Sequence, residues 1–394
     1  MTTRSGPRIL FTFAGGSGHF IPLIPIARAA EQAGHVVAFG GQAALLASVE
    51  RARFTAFDTA DATFRDDRAR SPLLKLDMER EYRAVREGYA GRIARRRAPA
   101  ILDLCARWKP DLLVCDEMDF GAMVAAEHVG VLHASVSVIA TGGLTPRDLI
   151  AEPLNVLRAE HGLPVDPDLA MLSRHLVISP FPPTLRDPAF APPPTLRAFR
   201  PAGDGPEAPV IPDWLARLPL GPTVYLTLGT VFNVESGDLF GRLLQGLARL
   251  PINLIVTVGS QIDPEELGPQ PANVRIERFI DQWALLPRCD LVVSHAGSGT
   301  VVGALAHGLP MVLLPMGADQ PLNAKRCATL GVARVLDPIE ATPGQIEEAA
   351  DALLADAGPR RAAERIRDEI AGLPELSQSV RLLEQLVDEG PVEP

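Results

Sequence analysis

The stretch RILFTFAGGSGHFIPLIPIARAAEQAGHVVAFG, residues 8–40, carries the clearest architectural signal in the chain. Its first six residues form a short β-type run, and a turn of small residues follows. Apolar residues then recur at helical spacing up to Gly34, a residue type that often ends a helix. A second strand-like run, HVVAFG, completes the stretch. Strand, turn, helix and strand in this order form the βαβ unit of a parallel, doubly wound sheet.

The second half of the chain repeats this plan. TVYLTLGT (223–230) predicts a strand and turn, GDLFGRLLQGLARL (237–250) a helix, and INLIVTVG (252–259) the next strand. We therefore expect an α/β protein of two Rossmann-like, doubly wound parallel-sheet domains that face one another across a cleft. Such sheets bind ligands at the carboxyl ends of their strands, so the cleft is the expected site.

A proline-rich segment separates the two halves. Thirteen of the 37 prolines fall in residues 180–222, and proline at this density disfavours regular elements. The expected boundaries are a first domain over 1–200, a linker over 201–221 and a second domain over 222–375. An amphipathic helix over 376–390 is expected to complete the first domain.

Composition and charge argue against several classes of protein. The 394 residues carry a formal net charge of −10, whereas nucleic-acid and anionic-membrane partners require a basic surface. The four cysteines lie far apart in the sequence, which indicates a reducing compartment and no zinc site or disulfide framework. The sequence shows neither a signal-peptide pattern nor an apolar run of membrane-spanning length. We therefore expect a soluble cytoplasmic protein.

The segment SHAGSGTVVGALAHG, residues 294–308, has the composition of a phosphate-binding turn. Gly297 and Gly299 let backbone N–H groups approach a ligand, and the following helix, expected to begin near Thr300, adds partial positive charge. A tight turn without a ligand fits the same residues equally well. Two other phosphate-binding patterns do not fit the sequence. The dinucleotide-binding pattern fails because Ile21 occupies the third glycine position in the turn after the first strand, and the P-loop pattern fails because no lysine follows that turn or the turn in residues 294–308.

A longer segment resembles a known family. FIDQWALLPRCDLVVSHAGSGTVVGALAHGLPMVLLPMGADQPLNAKRC (279–327) resembles the donor-binding signature of the GT-B-fold, family-1 nucleotide-sugar glycosyltransferases, which include bacterial natural-product and antibiotic glycosyltransferases. GHFIPLIPIARAAEQAGHVV (18–37) is similar to the N-terminal helix of the same family. The resemblance covers essentially the whole two-domain layout. It implies acceptor binding by the first domain and nucleotide-sugar binding by the second.

The resemblance also implies roles for individual donor-binding residues. The diphosphate would be held by His295, Gly297, Ser298, Gly299, Thr300 and Thr230. The nucleotide base would contact Phe279, Ile280 and Gln282. The donor sugar would be bound by Asp319 and Gln320.

Two of these residues have ordinary structural alternatives, and one neighbouring position bears on the nucleotide. Phe279 fits a buried core ring, and Asp319 fits a cap of the helix that follows it. Relatives with uridine donors often carry, at the position of Gly303, a glutamate that binds both ribose hydroxyls. Glycine has no such requirement, so a TDP-sugar is favoured over a UDP-sugar.

His19 is the candidate general base. It lies at the start of the first helix, where the helix N-terminus disfavours imidazolium and is expected to keep the ring neutral. Asp116 follows the apolar run LLVC and matches the partner aspartate of the family, with Glu117 and Asp119 as neighbouring alternatives. We expect His19 to take a proton from an acceptor hydroxyl, which displaces the nucleoside diphosphate in one step with inversion.

The remaining expectations concern partners. The acceptor is expected to be a small-molecule aglycone of secondary metabolism, contacted by residues 54–89 and 140–154. No cofactor or metal is implied, because the only Asp-x-Asp triplet, Asp166–Asp168, lies in a loop where helix capping explains it. A homodimer is compatible with the sequence but not specified by it. A GT-B-fold sugar-nucleotide epimerase or hydrolase and a non-catalytic nucleotide-sugar-binding protein are the alternative functions.

Overall fold

The computed structural model describes residues 6–59, 70–203 and 212–389, and it contains two parallel sheets. Seven strands in the described part of the first half pair in the order β3-β2-β1-β4-β5-β6-β7. These strands are β1 (Arg8–Thr12), β2 (Val36–Gly41), β3 (Thr55–Asp58), β4 (Leu112–Asp116), β5 (Leu132–Val136), β6 (Leu176–Ser179) and β7 (Leu196–Ala198). The order reverses between β1 and β4, which makes this point the expected ligand-binding crevice of the first sheet.

Helices connect the strands of the first sheet. The α-helices are α1 (Ser17–Phe20), α2 (Ile24–Gln32), α3 (Ala43–Arg51), α4 (Met78–Arg83), α5 (Ala94–Trp108), α6 (Phe120–Val129) and α7 (Arg147–Glu160). A π-helix, Ala84–Ile93, joins α4 to α5, and a 3₁₀ turn, Ile21–Leu23, joins α1 to α2. The helix predicted after the first strand is therefore present, in three consecutive pieces.

The second sheet has six strands within the described residues, in the order β10-β9-β8-β11-β12-β13. They are β8 (Thr223–Thr227), β9 (Asn253–Thr257), β10 (Val274–Glu277), β11 (Leu291–Ser294), β12 (Met311–Leu313) and β13 (Ala333–Val335). The α-helices are α8 (Leu239–Leu247), α9 (Gln282–Leu285), α10 (Ser298–Ala306), α11 (Gln320–Thr329), α12 (Pro343–Ala355), α13 (Ala357–Gly372) and α14 (Ser379–Glu389). Here the order reverses between β8 and β11. None of the helices in the described ranges is long and apolar enough to cross a membrane.

Each sheet is buried on both faces, as a parallel sheet requires. Alternate residues of β1 show this, because Ile9 and Phe11 belong to one apolar core and Leu10 belongs to another on the opposite face. In β8 the same alternation separates Val224 from Tyr225. The expected architecture of two Rossmann-like domains is thereby confirmed.

The expectation that the proline-rich segment lacks regular elements is wrong, because it contains one strand and two 3₁₀ turns, Pro183–Leu185 and Leu215–Arg217. Strand β7 lies within it and pairs with β6, with Leu196 opposite Val177. Prolines 192–194 end before the strand begins, and an edge strand needs hydrogen bonds on one side only. Within the linker expected over 201–221, residues 204–211 lie outside the described residues, as do 60–69 of the segment expected to contact the acceptor.

The C-terminal helix α14 returns to the first domain. Its apolar side chains Val380, Leu383 and Leu386 are buried in the core of the first domain. The same core contains Leu23, the residue before α2, and Ile26, within α2. The last position of the expected helix, residue 390, lies outside the described residues. The chain therefore crosses from the second domain back to the first and ties the two together.

We predict that Leu383→Ala destabilises the first domain. Leu383 is 0% exposed, so truncation removes buried apolar contacts and leaves a cavity, at a cost of about 2–5 kcal/mol in the free energy of unfolding. Chemical denaturation measures this cost. Arg381→Ala, at an exposed position of the same helix, should change the free energy of unfolding by less than about 0.5 kcal/mol. Equal costs for the two variants would contradict the packing of α14.

Candidate active site

The turn between β11 and α10 leads into a helix end whose backbone N–H groups have no side-chain cap among the described residues. Ala296 adopts a left-handed conformation, with φ of 69°. Gly297 is extended and is the N-cap of α10, and no side chain among the described residues caps this helix end. The helix begins at Ser298, earlier than the predicted start near Thr300. The first turn of α10 therefore retains uncapped N–H donors and the positive end of the helix dipole.

His295 lies between two glycines at the base of this turn. A Cβ atom at Gly229 or at Gly297 would lie 2.5 Å from the imidazole Nε2, so both positions exclude a side chain while the ring is in place. Gly229 also has φ of 77°, a conformation that disfavours other residues. Burial lowers the pKa of His295 to about 4, so the ring is neutral. Its Nδ1 is buried and has no hydrogen-bond partner among the described residues.

Ser298 connects this turn with Asp319 and with the opposite domain. Its hydroxyl donates to Asp319 Oδ2 at 2.6 Å and accepts from the Ala140 amide of the first domain at 2.9 Å. Asn323 donates to the same Asp319 oxygen at 2.7 Å, and also to the Ser298 hydroxyl and the Ala296 carbonyl. Burial raises the pKa of Asp319. The Asp319 side chain does not cap α11, so that alternative is not what the structure shows.

Gln320 is buried and shapes the turn that precedes it. Its side-chain oxygen accepts hydrogen bonds from the amides of Met316 and Gly317, at 2.8 and 3.2 Å. Ala318, within the same turn, has φ of 51°. Since the oxygen of Gln320 is engaged, the side-chain group that remains for a ligand is the amide nitrogen.

The three residues predicted to contact the base lie in one segment with different exposures. Phe279 is 75% exposed, which excludes the alternative of a core ring. Ile280 is buried in the core of the second domain. Gln282 begins α9, and its amide nitrogen lies 3.5 Å from the Gly299 carbonyl, so this segment adjoins the phosphate turn.

His19 and Asp116 form a hydrogen-bonded pair where the strand order of the first sheet reverses, between β1 and β4. The Nδ1 atom of His19 lies 3.0 Å from Asp116 Oδ1. Asp116 is fully buried and also accepts from the amides of Ala14 and Met118, at 2.6 and 2.7 Å. A carboxylate only accepts, so Nδ1 carries the proton and Nε2 is the basic nitrogen. The His19 side chain is 17% exposed.

The expectation that the helix N-terminus keeps the His19 ring neutral is wrong in its direction. Burial lowers the pKa of His19, but the charge of Asp116 and its hydrogen bond outweigh burial and raise the pKa above the ordinary 6.5. Glu117 and Asp319 contribute to the same increase through their charges. The paired carboxylate thus decides the balance rather than the helix dipole. Asp319 belongs to the second domain, so its charge acts on His19 from the opposite domain.

The two neighbouring acids have other partners. Asp119 caps α6 and forms a fully buried ion pair with Arg97, with N–O distances of 2.7 and 2.6 Å. Glu117 accepts from the amides of Val138 and Ile139, both at 2.6 Å, and burial raises its pKa to about 7. Of the three acids, Asp116 is the one that pairs with His19.

The predicted phosphate ligand Thr230 meets the first domain. Its hydroxyl lies 2.8 Å from the hydroxyl of Ser17, at the start of α1. The segment after β1 is thus in contact with the segment after β8. In the described ranges, no group of three or more His, Cys, Asp and Glu side chains is placed to hold a metal ion.

Three residues beside the site were not singled out individually from the sequence. The Tyr89 ring, on the π-helix, stacks on the His19 ring with centroids 5.7 Å apart and planes at 11°. Gly15 leaves room for that histidine, because a Cβ there would lie 2.0 Å from its ring. Asn323 had a recognisable signal, since it follows Asp319 by four residues on one helix and so shares its face. Tyr89 closes the segment 54–89 expected to contact the acceptor, and Gly15 lies in the small-residue turn after β1, but no pattern indicated that either residue lies against His19.

Comparison with known proteins places the chain among antibiotic glycosyltransferases. Residues 241–386 match the family model described as the C-terminal domain of erythromycin biosynthesis protein CIII-like proteins. The chain is 30% identical to the 3-alpha-mycarosylerythronolide B desosaminyl transferase of Saccharopolyspora erythraea, covering 73% of this chain and 71% of the relative. It is 29% identical to the TDP-daunosamine transferase DnrS of Streptomyces peucetius, over 96% of each chain.

A solved structure gives the same assignment. The spinosyn forosaminyltransferase SpnP superposes with a TM-score of 0.76 at 27% identity, covering 97% of this chain and all of the other. The sequence, the two-domain architecture and the arrangement of the strand ends therefore all indicate the same family. The chain belongs to the natural-product family-1 glycosyltransferases of the GT-B fold.

Proposed function

We propose that this glycosyltransferase moves a sugar from a TDP-sugar to a hydroxyl group of a small-molecule natural product, with inversion at the anomeric carbon and His19 as general base. The observation that carries the proposal is the His19–Asp116 pair, which lies across the cleft from the uncapped N-terminus of α10. The first domain would hold the acceptor beside His19. The second would hold the donor.

Several features support a thymidine nucleotide as the donor. The relative from Streptomyces peucetius is named for a TDP-sugar. At Gly303, a Cβ atom would lie 3.0 Å from Leu286 and 3.4 Å from the Gln282 amide nitrogen, so a longer side chain would be crowded there. A ribose-binding glutamate at this position would need space that these two residues occupy. The exposed Phe279 ring is available to stack on the base.

The proposed reaction is one displacement. His19 Nε2 accepts the proton of the acceptor hydroxyl, whose oxygen forms a bond to the anomeric carbon as the bond to the diphosphate oxygen breaks. Attack from the face opposite the leaving group inverts the configuration. Asp116 stabilises the imidazolium that forms.

The leaving diphosphate would be stabilised by the phosphate turn. The amides of Ser298, Gly299 and Thr300 would donate to its oxygens, and the neutral ring of His295 would lie beside them at the base of the turn. Asp319 and Gln320 would bind the sugar hydroxyls. The backbone amides of residues 298–300 bind the diphosphate anion directly, so the proposed reaction requires no metal.

We predict that wild-type protein forms a glycoside when a TDP-sugar is mixed with a panel of hydroxylated aglycones, and that His19→Ala lowers kcat by roughly 10²–10⁴-fold. The affinity for TDP should stay within about twofold, because His19 lies on the domain opposite the phosphate turn. Product analysis by mass spectrometry and calorimetric titration with TDP provide the two measurements.

His128→Ala is the matched control, because His128 is an exposed histidine of the same domain. It should leave both quantities unchanged. Transfer by His19→Ala at close to the wild-type rate would rule out the base role. Free sugar or an isomerised nucleotide sugar as the sole product would favour the hydrolase or epimerase alternative, and binding without any product would favour the non-catalytic one.

A second prediction concerns pH. The base acts in its neutral form, so kcat/KM should fall as pH decreases through the His19 pKa, which lies above 6.5. Asp116→Asn removes the charge that raises this pKa and should move the acidic limb to lower pH, while kcat falls by roughly 10²-fold or more. A pH–rate profile of both proteins measures the shift. An acidic limb that stays in place in Asp116→Asn would contradict the pairing.

A third prediction concerns Phe279. Phe279→Ala should weaken TDP binding by roughly tenfold, because stacking on a base contributes about 1–3 kcal/mol, while Phe279→Trp should preserve binding. Calorimetric titration with TDP measures this. Leu220→Ala, which truncates another fully exposed apolar side chain, serves as the control. Unchanged affinity in Phe279→Ala would exclude the ring from the base site.

A further inference from the structure

A segment of the first domain is docked onto the second domain. The Ser71 amide donates to the Val234 carbonyl at 2.9 Å. Leu73 packs against the core of the second sheet, and its amide lies 3.0 Å from where a Cβ of Gly237 would be. Arg70 forms an exposed ion pair with Glu266 at 2.8 Å. The segment is thus held by contacts of three kinds.

The docked segment leads into α4, whose Glu81 reaches the turn before α11. Glu81 Oε2 accepts a hydrogen bond from the Ala318 amide at 3.0 Å. Its other oxygen accepts two hydrogen bonds from the Arg80 guanidinium, at 3.1 and 2.9 Å. The Glu81 side chain is only 14% exposed. Both oxygens are therefore engaged, and the carboxylate is fixed in position.

Ala318, which Glu81 contacts, has an unfavourable backbone conformation. Ala318 has φ of 51°, a left-handed conformation that alanine rarely adopts. Gly317 has no side chain, and a Cβ there would lie 2.9 Å from Phe232 and 3.4 Å from Glu81. The hydrogen bond from Ala318 thus stabilises a strained turn that only a small preceding residue permits. Asp319 and Gln320 follow this turn directly.

We propose that Glu81 is a positioning residue of the donor-sugar site. Through its hydrogen bond across the domain interface, it fixes the turn that carries Asp319 and Gln320. Recognition of the sugar then depends on contact between the domains, whereas recognition of the nucleotide depends on the second domain alone. This inference rests on the proposed function, in which these two residues bind the donor sugar.

The test compares two ligands, TDP and a TDP-sugar, by calorimetric titration. The TDP-sugar is TDP-glucose or TDP-rhamnose, whichever the wild-type protein binds more tightly. Glu81→Ala should weaken TDP-sugar binding by roughly tenfold or more, the effect of losing a hydrogen bond to a charged group, and change TDP binding by no more than about twofold. Glu81→Gln should restore most of the affinity, since its amide oxygen can accept the same hydrogen bond.

One further variant separates the role of Glu81 from that of the docked segment. Arg70→Ala removes an exposed ion pair of the segment without touching the turn and should leave both affinities unchanged. If Glu81→Ala does not fold, Glu81→Asp carries the same expectation, because its shorter side chain cannot reach the Ala318 amide.

The inference is overturned if Glu81→Ala binds the TDP-sugar as tightly as wild type, or if it weakens TDP and the TDP-sugar equally. The second result would indicate a purely structural role. A wild-type protein that binds neither TDP nor the TDP-sugar would instead contradict the proposed function itself.

Discussion

The site depends on contact between the carboxyl ends of two parallel sheets, and one hydroxyl group is central to that contact. Ser298 accepts from the Ala140 amide of the first domain and donates to Asp319 of its own domain. Asn323, on α11, donates hydrogen bonds to the Ser298 hydroxyl oxygen and to the Asp319 carboxylate. Because the Ser298 and Thr230 hydroxyls are already engaged, a diphosphate in the turn would be met chiefly by backbone amides.

The two histidines of the cleft show how surroundings set opposite chemical properties. His295 is buried between glycines without a carboxylate partner, and its pKa falls to about 4, which suits a neutral donor beside a phosphate. His19 is paired with buried Asp116, and its pKa rises, which suits a group that gains a proton during the reaction. Burial alone would lower the pKa of both. The paired carboxylate accounts for the difference.

Much of the fold was predictable because it follows from local patterns. The βαβ order of residues 8–40 and its repetition after residue 223 specify two parallel sheets, and both are present. Strand β7 was missed because proline density was weighed over the whole of residues 180–222, whereas the strand needs only three proline-free residues at a sheet edge. The pairing of His19 with Asp116 was predictable because His19 follows β1 and Asp116 ends β4, the two strands between which the strand order reverses.

What escaped prediction depends on contacts between distant parts of the chain. Tyr89 reaches His19 from a π-helix, and Glu81 reaches Ala318 across the domain interface. For both contacts the deciding partner is remote in sequence, and periodicity carries no information about it. The pKa of His19 was assigned the wrong direction for a different reason: Asp116 was expected as its partner, but the helix N-terminus was given more weight than the paired carboxylate.

The proposed reaction requires a nucleoside diphosphate at the N-terminus of α10, opposite the imidazole of His19. A crystal structure of the complex with TDP would locate the diphosphate. We expect phosphate oxygens within hydrogen-bonding distance of the amides of residues 298–300, with the thymine ring against Phe279. A diphosphate bound elsewhere in the cleft, with those amides left in contact with water, would contradict it.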